Sequence, residues 1–229
     1  MAAGKTNWFA IWVSAAVVVV VVAVGGIVWF SNSQATSAGP APESSAINQD
    51  TGAIAVGSGP NTVDTYVDFM CPICNNFEQT YGSTLSQLVD DGTITLNIHP
   101  ISILDRASQG TEYSTRSANA MYCVAADDPA NALPFLQALY ENQPEEQSTG
   151  LDDATLTSIA EGVGAGEGVA SCITDGTFSR YVAAMTRETP IQTGASGVST
   201  PTIVVNGQTL TNQTDLTGDP QADIVARFS

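Results

Sequence analysis

Four consecutive residues, Cys71-Pro72-Ile73-Cys74, constrain this chain more than any other feature. Ahead of them lies an apolar, β-branched run, Thr62-Val63-Asp64-Thr65-Tyr66-Val67-Asp68-Phe69-Met70, and behind them a stretch with helical spacing from Asn75 to Val89. A C-x-x-C at a strand-to-helix junction points to redox chemistry. The reason is electrostatic: the first-turn amides of a helix have no intrahelical partner, and the helix dipole is positive at that end. Both favour a thiolate at Cys71, and the thiolate is the nucleophile. Pro72 suits the first helical position, because its fixed φ is helical and its missing N–H is not needed there. Two intervening residues leave Cys74 within reach to resolve a mixed disulfide formed at Cys71. Cys71 and Cys74 are the candidate catalytic residues.

A C-x-x-C is also half of many zinc sites. The remaining ligand candidates are Cys123, Cys172 and His99, and none forms a second closely spaced pair, so no metal is expected. Gly162-Val163-Gly164-Ala165-Gly166-Glu167-Gly168 fails the G-x-G-x-x-G spacing and follows a helical stretch, so it reads as a helix–helix connection and not a phosphate loop. No cofactor is implied. His99, the only histidine, stands at a strand end and reads as structural. In an oxidising compartment four Cys allow three pairings. Since Cys71 and Cys74 are built to pair locally, Cys123 and Cys172 are expected to join. The alternative is two buried free thiols.

The compartment follows from the amino terminus. Residues 1–7 carry one charged side chain, Lys5, and form a short cytoplasmic tail by the positive-inside tendency. Residues 8–30 carry no charge, include the run Val17 to Val22, and have Trp8, Trp12, Trp29 and Phe30 near their ends. Twenty-three such residues match the about 20 that span a bilayer, whereas a signal-peptide core has only about 7–15. We read an uncleaved transmembrane anchor, with a signal peptide cleaved near Ser33-Gln34-Ala35 as the alternative; both export the rest. Beyond residue 30, five Arg and no Lys stand against 23 acidic residues, a net of −18. Such a surface repels phosphate backbones and excludes nucleic acid as a partner.

Residues 31–49, rich in Ser, Ala, Pro and Asn, read as a flexible linker, and 50–229 as the folded domain. Ala53 to Val56 suggests an edge strand, and Thr62 to Phe69 a central strand with apolar residues on both faces. Thr93 to Ile98 alternates and closes a βαβ unit. From about 107 to 192 the pattern is helical: Tyr113 to Ala126, a segment started by Asp128-Pro129, Leu151 to Ala160, Gly168 to Thr174, and Phe178 to Glu188. Asn206-Gly207 then marks a hairpin turn, and Asp219-Pro220 opens a short last helix. The fold class is α/β.

Three segments carry a family resemblance: Asp68-Phe69-Met70-Cys71-Pro72-Ile73-Cys74, His99-Pro100-Ile101-Ser102-Ile103-Leu104-Asp105 and Gly197-Val198-Ser199-Thr200-Pro201-Thr202. They resemble the DsbA-like branch of the thioredoxin superfamily, in particular its membrane-anchored actinobacterial members. The resemblance covers about residue 50 to the end. It implies a thioredoxin fold with an inserted helical domain, an attacking thiol at Cys71 and a resolving one at Cys74. It places Thr200-Pro201 in a cis-proline loop that pairs with an extended substrate. It also supports a structural Cys123–Cys172 disulfide. The implied activity is a protein disulfide oxidoreductase acting on unfolded exported proteins. Its implied partner is a membrane oxidase resembling vitamin K epoxide reductase. A reductase or isomerase on the same fold, and a non-catalytic binding module, are the rival readings. Two departures stand out. Pro72-Ile73 lacks the histidine familiar from DsbA, so a less acidic Cys71 and a less oxidising pair than DsbA's are expected. Thr65 stands where many relatives carry a buried carboxylate, which leaves water, Asp68 or another group to exchange protons with Cys74.

Overall fold

The structure, a computed structural model, describes Trp8, Trp12 and residues 18–26, 38–228. The chain divides into two units, Met1–Ser37 and Ala38–Ser229. In the first, residues 18–26 are helical and exposed. Most of the span expected at 8–30 lies outside the described residues, and no helix among the described residues is long and apolar enough to cross a membrane.

The second unit is built on a five-stranded sheet in the order β1-β3-β2-β4-β5. The strands are β1 (Ile54–Gly57), β2 (Asn61–Val67), β3 (Ile94–Pro100), β4 (Thr202–Val205) and β5 (Gln208–Thr209). β2 and β3 are parallel, with Asn61 opposite Ile94 and Val67 opposite Pro100. The other pairings, β1 with β3, β2 with β4 and β4 with β5, are antiparallel. Helix α1 (Pro72–Asp90) links β2 to β3. Between β3 and β4 run α2 (Tyr113–Asp127), α3 (Ala132–Glu141), α4 (Asp153–Gly162), α5 (Gly168–Thr174) and α6 (Ser179–Arg187). Helix α7 (Pro220–Asp223) and a 3₁₀ turn at Val225–Arg227 end the chain.

Local chemistry explains the boundaries. The Asp152 carboxylate accepts a hydrogen bond from the Thr155 amide at 2.8 Å and caps α4, and the Asp219 side chain caps α7. Asn206 and Gly207 have φ of +48° and +81°, the two left-handed residues that a type I′ hairpin needs. Pro129 opens a 3₁₀ turn, Pro129–Asn131, and the α-helix begins only at Ala132.

Two readings need correction. β2 buries one face, through Val63, Thr65 and Val67, and not both. The opposite face carries Asp64 and Tyr66, which with Asn97 and His99 of β3 form a polar surface. The residues nearest the domain in the expected linker are packed, not flexible. Ile47 is buried and bridges to Ile54, the Ala55 amide donates to the Ala46 carbonyl, and Tyr181 donates to the Gln49 carbonyl at 2.8 Å. An isolated isoleucine among small polar residues gives no periodic signal, yet it is enough to seat the segment against the sheet edge.

Candidate active site

The dithiol is held at the junction of β2 and α1 by a turn that Asp68 builds. The Asp68 carboxylate accepts from the Met70 amide at 2.9 Å, and its carbonyl accepts from the Cys71 amide at 3.0 Å. Cys71 is the N-cap residue, with φ −80° and ψ 116°, and Pro72 takes the first helical position. From the other side Gln143, just past α3, donates to the carbonyls of Phe69 at 3.1 Å and Cys71 at 2.9 Å. Asn75 donates to the Gln143 side chain at 3.0 Å and to the Tyr140 carbonyl at 3.2 Å. The helical block therefore clamps the motif.

Both thiols are free. They differ in environment. Cys71 is 4 % exposed, while Cys74 is sealed. The hydrogen bond from the Cys74 thiol lowers the Cys71 pKa most, and the Cys74 and Ile73 amides lower it further, against burial and the charge of Asp68. Burial pushes Cys74 well above the ordinary thiol range, and the neighbouring Cys71 sulfur adds to it. One thiol is primed to attack and the other holds its proton.

Thr200 comes from the far end of the chain to meet both sulfurs. Its carbonyl accepts from the Cys71 thiol at 3.6 Å, and its hydroxyl lies 2.9 Å from Cys74 Sγ. The Thr200–Pro201 peptide is cis. Beside it Ile73, Phe77, Tyr81, Pro201 and Leu216 line an open groove of ≈ 250 Å³. Ile73, 60 % exposed, stands at its edge.

Asp68 is fully buried and saturated. Beyond Met70, it accepts from Ser114 at 2.7 Å and from the Ile103 and Leu104 amides at 2.9 Å each. Burial raises its carboxyl to about 6, although these four donors pull the other way. It ties the dithiol turn to α2 and to the segment leaving β3. The role of Gln143 has no signal in the sequence. That of Asp68 has one, since an Asp two residues before a backbone amide in a turn is an Asx-turn former.

His99 is not brought to the dithiol. Its Nε2 lies 3.0 Å from an Asp64 carboxylate oxygen, its Nδ1 lies 3.2 Å from the Thr51 carbonyl, and its ring stacks on Tyr66 at 4.0 Å. Cys123 and Cys172 form a disulfide that joins α2 to α5. Among the described residues no group of three His, Cys, Asp or Glu side chains is placed to hold a metal ion.

A sequence model of the thioredoxin family matches residues 51–218. The chain belongs to that family. Its thioredoxin domain is similar to reduced DsbG, a disulfide bond oxidoreductase from Mycobacterium tuberculosis. That match has 31 % identity and a TM-score of 0.61, covering 69 % of this chain and 79 % of that one. It is similar also to oxidised DsbA of Mycobacterium tuberculosis, with 33 % identity and a TM-score of 0.59 over 69 % of this chain and 85 % of that one. The thiol-disulfide oxidoreductase MdbA of Actinomyces oris, at 22 % identity and a TM-score of 0.61 over 81 % of this chain and 90 % of that one, shares the thioredoxin fold. A curated relative, the serine/threonine-protein kinase PknE of Mycobacterium tuberculosis, is 36 % identical over 129 residues. That match takes in 54 % of this chain and 23 % of the kinase, so the chain spans under a quarter of the length of the curated relatives it matches. The structural neighbours of this thioredoxin-family chain are thus DsbA-, DsbG- and MdbA-type thiol–disulfide oxidoreductases.

Proposed function

We propose that this chain is a protein disulfide oxidoreductase that introduces disulfides into exported proteins through Cys71 and Cys74. The observation that carries this reading is the asymmetry of the pair: a thiol made acidic at a helix start beside a sealed thiol that keeps its proton. A stabilised Cys71 thiolate favours the reduced form, which makes the Cys71–Cys74 disulfide a good electron acceptor. A substrate thiolate attacks Cys71 Sγ, the Cys71–Cys74 bond breaks, and Cys74 leaves and takes a proton. A second substrate thiolate then attacks the substrate sulfur of the mixed disulfide, which releases Cys71 as thiolate and the substrate as disulfide. Pro201 lines the groove where an extended apolar substrate segment would lie, and Thr200, joined to it by a cis peptide, meets both sulfurs.

The reading includes a single-pass anchor at residues 8–30, an extracytoplasmic catalytic domain and reoxidation by a membrane oxidase resembling vitamin K epoxide reductase. The uncharged 23-residue run supports the first two. The third rests on the family resemblance alone. The test is the reduction potential of the full chain together with trapping by the Cys74→Ser variant. An oxidase should have a potential above about −250 mV, and the variant should accumulate substrate bound through Cys71. A more negative potential would assign the chain to reduction. Isomerisation on the same fold is the second reading, and faster recovery of scrambled than of reduced ribonuclease would select it.

A further inference from the structure

The groove beside the dithiol has one wall that packing does not hold. Leu216, Thr217 and Gly218, in the loop between β5 and α7, line it together with Phe77 and Tyr81 of α1. Thr217 and Gly218 are exposed, Leu216 is only partly buried, and the helix that follows has four residues. A loop with so little buried apolar surface belongs to the low-stability end of a fold. A carboxylate holds it instead. Asp223, the last residue of α7, is buried and does not itself line the groove. Its Oδ2 accepts from the amides of Thr217 at 2.7 Å, Gly218 at 3.1 Å and Asp219 at 3.2 Å, and its Oδ1 accepts from the Thr217 hydroxyl at 2.9 Å. Oδ2 also accepts from the Tyr81 phenol at 2.5 Å, and the Gly218 amide donates to that phenol oxygen at 2.9 Å. Burial and the hydrogen bond to Asp223 raise the Tyr81 phenol to about 12, so it keeps the proton it donates. One buried side chain therefore fixes the loop and joins it to the α1 side of the groove.

We propose that Asp223 is the positioning residue for this wall, and so a determinant of substrate choice. It holds Leu216, Thr217 and Gly218 at the spacing from Phe77 and Tyr81 that leaves room for a large apolar side chain beside the reacting cysteine. This rests on the oxidoreductase reading and adds a specificity residue to it. The groove's ≈ 250 Å³ exceeds the about 150 Å³ that accommodates benzene, so a phenylalanine ring fits. Such a ring covers Ile73, Phe77, Pro201 and Leu216, whereas a serine leaves them in water. Asp223 makes no contact with the dithiol, whose thiols meet Thr200, so its loss acts on binding and not on electron exchange. Without the carboxylate the Thr217 and Asp219 amides lose their acceptor. The formed wall then becomes one arrangement among several, and affinity falls with the fraction of chains that hold it.

The test compares two dithiol peptides that differ only in carrying Phe or Ser beside the first cysteine. The rate at which each reduces the Cys71–Cys74 disulfide of the oxidised full chain is followed against peptide concentration, with dithiothreitol as a small reductant that needs no groove. The parent should half-saturate at a lower concentration of the Phe peptide than of the Ser peptide. In Asp223→Asn the half-saturating concentration of the Phe peptide should rise about tenfold, as when one chain in ten holds the wall, with the maximal rate retained. The Ser peptide and dithiothreitol should react nearly as with the parent. Asp223→Glu, which keeps the charge one methylene further out, should fall between the two and serves if the Asn variant does not fold. An unchanged preference for Phe over Ser in a folded variant would overturn the proposal, as would an equal loss with both peptides and dithiothreitol. No reaction of the parent with dithiothreitol or either peptide would instead count against the oxidoreductase reading. Binding of the Phe peptide with both cysteines replaced by serine would then still report on Asp223.

Discussion

Cys71 and Cys74 lie one helical turn apart with both thiols free, whereas Cys123 and Cys172, 49 residues apart, are joined. The side chain is the same, and position decides the rest. Cys71 stands at the open end of α1, where unpaired amides reach its sulfur, and Ile73, two residues on, lines a groove. Cys123 lies inside α2, at a point where the amides are already committed to the helix, and its bond to α5 closes a long loop. The first pair is arranged to exchange electrons with something outside the fold. The second ties two helices of the inserted block together. A disulfide within a turn removes little chain entropy, while one across about 50 residues removes much, roughly 4 kcal/mol on the chain-entropy model.

The sharpest way to break this contrast is to exchange the roles by mutation. Cys71→Ser should abolish thiol–disulfide exchange, a loss of more than about a thousandfold in the oxidation of reduced ribonuclease, with the unfolding midpoint nearly unchanged. The double variant Cys123→Ser, Cys172→Ser should do the reverse. It should lower the free energy of unfolding by about 2–5 kcal/mol in urea while Cys71 alkylates at the parent rate. If the double variant slowed alkylation as much as it destabilised the fold, the two pairs would not be separable.

Asp68 sharpens the contrast, because it belongs to the fold yet lies beside the reacting pair. Its carboxyl is raised to about 6 in the folded state, above the about 3.9 of an unfolded chain. The folded state therefore holds the proton more tightly, and this group's contribution falls as pH rises from about 4 to about 6. The total change is roughly 3 kcal/mol. Asp68→Asn should remove that slope from a plot of stability against pH, even though the variant is less stable at every pH for want of an acceptor. A parent slope that survives the substitution would assign it to another carboxylate. The smallest expected effect is at Thr200. Thr200→Val keeps the shape and removes the hydroxyl that hydrogen-bonds Cys74, which should slow resolution of the mixed disulfide by about 2- to 10-fold, the worth of one hydrogen bond. The attack at Cys71 should be spared, since that thiol meets the Thr200 carbonyl and not the hydroxyl.

Much of the molecule is legible in the chain because the signals are local. The C-x-x-C with proline at the helix start, the Asn206-Gly207 turn and the Asp219-Pro220 helix start each act within four residues of themselves. The helical block reads correctly for the same reason. The seating of residues 44–53 on the sheet does not, because it depends on the Tyr181 hydroxyl reaching the Gln49 carbonyl across 132 residues of sequence. Gln143 is silent too, since a glutamine past a helix end has no propensity that marks it as a clamp for the carbonyls of Phe69 and Cys71.

The sequence by itself determined which cysteine opens the helix, because the Cys74 thiol and the first-turn amides that lower the Cys71 pKa both come with the C-x-x-C motif. Tertiary structure alone decided how unequal the two thiols are. Sealing Cys74 and bringing Thr200 from 126 residues away are acts of packing. Burial sets the charge a group tolerates, and burial belongs to the assembled fold and not to any stretch of chain.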